Sequence, residues 1–133
     1  MGAWGFNVFD DDSAMDFFYE LVENEDFISQ IEDTLNNATE SEYLEVDEAN
    51  AVLVSCSVID ACLNETEYDF PSDDYKKLIS AEHLIKFKAL KSLAAEAISN
   101  VLSENSERNE LWDETDSYEN WKNNILKMKE NLM

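Results

Sequence analysis

Glycine disappears after position 5, and proline occurs once, at Pro71. Tight hairpin turns draw on Gly or Asn-Gly pairs, and neither follows Gly5, so a β-sheet architecture is excluded. The same absence leaves no Gly-rich loop to cradle a phosphate. Basic residues are few: 9 Lys+Arg stand against 31 Asp+Glu, for a net charge of −22. Gripping nucleic-acid phosphates needs clustered Lys and Arg, which excludes direct nucleic-acid binding as the main activity. Docking on an anionic membrane surface is disfavoured for the same reason. No apolar run reaches the length that spans a bilayer. The opening residues show neither a basic n-region nor an apolar h-region, and Phe6 stands where a myristoylation signal carries Ser or Thr. A cytoplasmic protein with no membrane association is therefore expected.

Residues that build common catalytic centres are equally scarce. His83 is the single imidazole, and Glu82-His83 does not form an HExxH zinc motif. The nucleophile motif G-x-S-x-G is absent. Cys56 and Cys62 lie six residues apart in one apolar stretch and diverge round a helix, so they read as buried free thiols. Asp10, Asp11, Asp12 and Asp16 offer hard oxygen ligands, but the EF-hand spacing and its central Gly are missing, and helix capping accounts for them at less cost. We therefore assign no catalytic residue, no metal and no cofactor from the sequence.

What is present is apolar and acidic. Hydrophobic residues make up 44% of 133, including seven Phe, five Tyr and three Trp, enough to bury a core in one domain spanning 1–133. Residues 1–75 contain 21 Asp+Glu and no base, whereas 76–133 contain 10 acids and all nine bases. So lopsided a charge creates a strong negative field over part of the surface and speeds encounters with cationic proteins.

The 3.6-residue period recurs along most of the chain. Ala14, Phe17, Phe18 and Leu21 form the inner face of a first helix, with Asp12 as its expected N-cap and Asp16, Glu20 and Glu23 on another face. A second helix is expected from Glu25 to Asn37, with Ile28, Ile31 and Leu35 inward and Asn36-Asn37 ending it. The stretch 49–63 is apolar nearly all round, as befits a helix surrounded by others. Asp60 within it is expected on an exposed edge. Residues 64–70 read as a loop ended by Pro71. Helices follow near Ser72 and Ser80, the second with Leu84, Phe87, Leu90, Ala94, Ala97, Ile98 and Val101 inward; whether these are one helix or two is open. Asn105-Ser106 opens a short helix containing Trp112. Asp116 and Glu119 resemble a capping box for a last helix that turns Trp121, Ile125, Met128 and Leu132 inward. The expected architecture is all-α: a single irregular bundle of about six or seven helices around a central apolar helix at 49–63.

Three segments resemble an uncharacterised bacterial family. Met1-Gly2-Ala3-Trp4-Gly5, followed by Phe9-Asp10-Asp11-Asp12, Ala14, Asp16 and Phe17, matches an opening of the form M-G-[AT]-W-G-x-x-x-F-[DE]-N-D-x-A-x-D-[WF]. Tyr43-Leu44-Glu45-Val46-Asp47-Glu48-Ala49 resembles its second signature, and Glu110-Leu111-Trp112 with Trp121 its third. Asp11 departs from the pattern, whose members usually carry Asn there, and so does Phe6-Asn7-Val8. The resemblance implies an all-helical bacterial cytoplasmic protein and supplies no reaction.

Trp4 and Phe9 read first as anchors of the N-terminal segment. The functional alternative places Trp4 in a cleft with Asp10, Asp11 and Asp12, where charge and cation–π contact would suit a basic side chain. With Asp16, Glu20 and Glu23 these residues form the candidate partner-binding surface. The leading expectation is an acidic protein-binding module, an immunity protein or antitoxin that neutralises a basic toxin domain such as a nuclease. A variant has the acidic surface imitating nucleic-acid phosphates. The alternative is a structural or oligomeric subunit whose acidity serves solubility; an enzyme has no motif behind it.

Overall fold

The computed structural model describes residues 7–104 and 106–133. Seven α-helices follow in order among them: α1 (Asp12–Glu23), α2 (Phe27–Glu40), α3 (Val46–Asn64), α4 (Tyr75–Leu78), α5 (Leu84–Val101), α6 (Glu107–Asp113) and α7 (Tyr118–Asn131). A 3₁₀ turn at Ala81–His83 leads into α5, so the helices after Pro71 are two and not one bent rod. The all-α expectation holds. A lone β-bridge joins Leu44 to Ser106.

The centre is α3. Every residue from Ala49 to Cys62 is buried, and α1, α2, α4, α5, α6 and α7 all pack against it. Its side chains are mostly small or aliphatic, with apolar groups on every face and Asn50, Ser55, Ser57 and Asp60 as buried polar exceptions, so the helix is stable only when enclosed. Around it, α1 buries Ala14, Phe18, Leu21 and Val22, α5 buries Phe87, Leu90, Ala94, Ala97, Ile98 and Val101, and α7 buries Trp121, Ile125 and Met128. Each large apolar side chain enclosed in this way contributes about 1.5–3 kcal/mol. Cys56 and Cys62 are buried free thiols.

Several local expectations are corrected. Asp11, not Asp12, caps α1: its backbone is extended and its side chain accepts from the N–H of Ser13 and Ala14. Helix α2 runs through Asn36-Asn37 to Glu40. Both asparagines face solvent, where their weak helix propensity costs at most about 0.7 kcal/mol each, while Leu35 and Ala38 bury on either side. Ser117 occupies the N-cap position of α7, and no side chain makes a capping bond there. Asp60 is fully buried, not exposed. Leu84, expected on the inward face of α5, is 39% exposed, because it starts the helix at the edge of the bundle and borders an open groove.

Among the described residues, no helix is long and apolar enough to cross a membrane.

Candidate functional site

The carboxylates singled out in the opening segment divide between surface and interior. Asp12, Asp16, Glu20 and Glu23 are all exposed. At 100° per residue they fall within about 80° of one another round α1, opposite the buried Ala14–Phe18–Leu21 face. Asp10 is half-buried and its Oδ2 accepts from the backbone N–H of Asn7 at 3.3 Å. Trp4 lies outside the described residues.

Asp11 does not belong to this surface. It is 2% exposed, and each of its oxygens is taken. Oδ1 accepts from the N–H and hydroxyl of Ser13, from the N–H of Ala14 and from the Asn50 amide at 3.0 Å. Oδ2 meets Nη2 of Arg108 at 3.1 Å. A group enclosed and paired like this is not available to a partner, so Asp11 leaves the candidate surface.

Arg108, the one arginine of the chain, was not singled out in the sequence. It is 2% exposed and lies over the Trp112 ring, 5.6 Å from its centroid. Trp112 in turn stacks on Trp121 of α7 at 6.0 Å. Burial pushes the Arg108 pKa below its ordinary value, and the Asp11 carboxylate beside it opposes that shift. Nε and Nη1 of Arg108 and Nε1 of Trp112 are buried without a hydrogen-bond partner.

The described parts of the three segments that carry the family resemblance meet here. The Glu107 N–H donates to the Leu44 carbonyl at 2.8 Å, and the Val46 N–H donates to Oε1 of Glu107 at 3.0 Å. The Tyr43 hydroxyl bonds Oε2 of Glu110 at 3.1 Å. Asn50, from the second turn of α3, reaches both Asp11 and Ser13. These signature segments therefore form an internal tie between α1, α3, α6 and α7. A lone arginine in an acidic chain was the available signal for it.

A second polar cluster surrounds Asp60. Its Oδ1 accepts from Asn64 at 2.7 Å and Thr66 at 2.9 Å; its Oδ2 accepts from the Tyr68 hydroxyl at 2.6 Å and Asn131 at 3.1 Å. The loop after α3 and the end of α7 are thus pinned to one carboxyl. Burial, then the bond to Asp60, pushes the Tyr68 pKa above its ordinary value. Cys56 is pushed up as well, first by burial and then by Asp60.

His83 ends the 3₁₀ turn; its Nε2 lies 3.2 Å from the Lys77 carbonyl and its ring meets Phe27 edge-on at 5.0 Å. Among the described residues, no three His, Cys, Asp or Glu side chains gather as a metal-holding group. Their ion pairs are only two, His83 with Glu82 and Arg108 with Asp11. Among the described residues no lysine is paired with a carboxylate, so their exposed acids keep their charge uncompensated by direct contact.

An all-helical domain with a buried ionic tie and a bare acidic flank is the class these features define. The family model for a domain of unknown function (DUF4259) matches residues 2–124, and the chain belongs to that family. Comparison with curated proteins and with solved structures finds no match.

Proposed function

We propose that this chain is an acidic protein-binding module whose α1 face captures a basic protein, in the manner of a bacterial cytoplasmic immunity protein or antitoxin neutralising a basic toxin domain. One observation supports this above the others: Asp12, Asp16, Glu20 and Glu23 share an exposed helix face, and among the described residues no lysine pairs with any carboxylate. A helix that buries its other face rigidly holds these charges in place, which lowers the cost of ordering them on binding. Unpaired charges of one sign steer an oppositely charged partner and raise its association rate. Asp10 stands beside this face as a secondary contact. The reading assigns no reaction to the chain.

The test begins with capture of partners from the host at low salt and elution by rising salt, which weakens charge-led binding. Association with the eluted protein is then timed for the wild type and for the Asp16→Lys, Glu20→Lys, Glu23→Lys triple variant. The variant should associate at least about tenfold more slowly, because steering by clustered charge is worth about 10–1,000-fold in rate. An unchanged rate sinks the assignment of α1.

A further inference from the structure

We infer that the start of α5 and the groove beside it form a self-complementary surface that takes a second copy of this chain. The groove encloses about 540 Å³ between the end of α3, the 65–70 loop, α4 and the 3₁₀ turn. About half of its lining is apolar or aromatic, with Cys62, Phe70, Tyr75, Ile79 and Leu84 on that side. Phe70 and Tyr75 stack at 4.7 Å with their planes 12° apart, which stiffens one wall. Glu65, Glu67 and Asp69 also line it and are exposed.

The complement of this groove stands next to it. Ile85 follows the groove-lining Leu84 and is 86% exposed, the most exposed large apolar side chain among the described residues. Ile85, Lys88, Ala89 and Ser92 are all exposed and share one face of α5 at helical spacing. Residues 76–91 hold five lysines and one acid, a balance of +4 in a chain of net −22. An isoleucine beside lysines matches a groove with one apolar side and carboxylates on the other. Because groove and projection adjoin on the same molecule, a two-fold axis lets each copy insert Ile85 into the other's groove while Lys88 meets the acidic side. The local positive balance offsets repulsion between two acidic molecules at this place and not on α1.

The oligomeric mass of the full chain, measured by sedimentation over a range of concentrations, tests the inference. The wild type should rise from one copy to two. Ile85→Asp, at a position too exposed to disturb the fold, should weaken the dimer at least about tenfold. Ala81→Trp, which fills the groove from an exposed position, should do the same. The α1 triple variant should still dimerise, which separates this surface from the α1 face. A wild type that stays monomeric at every concentration overturns the inference, and so does an Ile85→Asp protein that dimerises like the wild type.

Discussion

Two carboxyls are taken out of water along α3, Asp11 against Asn50 and Asp60 itself, at positions about 15 Å apart at 1.5 Å per residue, and they are satisfied differently. At the first position, Asp11 takes a cation, Arg108, together with the cap bonds of α1 and the Asn50 amide. At the second, Asp60 takes four neutral donors and, among the described residues, no cation. The first arrangement joins four helices through one charge pair, but it leaves two Arg108 nitrogens unpartnered. The second leaves no oxygen unsatisfied and holds down a loop and a helix end. Neutral donors suffice when a carboxyl can collect enough of them; a cation needs its own acceptors, and among the described residues Arg108 has only Asp11.

Breaking this comparison at Asp11 should have the largest effect. Asp11→Ala strands a buried guanidinium and uncaps α1, and should cost about 3–5 kcal/mol in denaturant unfolding. That is a large share of the 5–15 kcal/mol that holds a domain of this kind together. Arg108→Met should cost clearly less, since Asp11 keeps four donors; equal losses would mean that the pair, and not the orphaned cation, sets the energy. Asp60→Asn comes next, at about 1–3 kcal/mol, because the new amide turns a donor toward groups that are themselves donors. Tyr68→Phe removes one of those four bonds and should cost about 1 kcal/mol.

Alkaline titration sharpens the same contrast. The folded protein holds the Cys56 and Tyr68 protons above their ordinary values of 9.0 and 10.0. The unfolded chain releases them near those values. Their stabilisation is therefore complete below about pH 9 and declines as pH rises through 9 and 10, by at most about 1.4 kcal/mol per pH unit for each group. Unfolding midpoints measured across this range should fall for the wild type and fall less steeply for a Cys56→Ala, Tyr68→Phe double variant. The smallest effect is expected at Glu65, the only non-glycine with positive φ (57°) among the described residues. It ends α3 where glycine would be at ease, so Glu65→Gly should raise stability by up to about 1 kcal/mol.

Most of the bundle was legible because helical periodicity reports local burial. The inner faces of α1 and α7 and the enclosure of α3 follow from the spacing of apolar residues alone. Asp60 was misread because nothing within α3 announces that Thr66, Tyr68 and Asn131 fold back over it. Asp11 and Asp12 look alike in sequence, and only the approach of Arg108, 97 positions later, separates the buried cap from the exposed acid. The α1 flank was legible at Asp16, Glu20 and Glu23, which share the period of the apolar face opposite, but Asp12 was read as the cap and Asp11 as surface. The α5 face was not: Ile85 fits an apolar helical pattern, and its isolation emerges only once Phe87 and Leu90 have turned inward.

The lack of lysine–carboxylate contacts among the described residues gives dissolved ions opposite effects on folding and on binding. Mobile counterions do the neutralising that fixed side chains leave undone, so raising ionic strength should relax the molecule's self-repulsion and lift its melting temperature. The same ions loosen its hold on a basic protein. Its sturdiest condition and its most adhesive condition therefore lie at opposite ends of the salt scale.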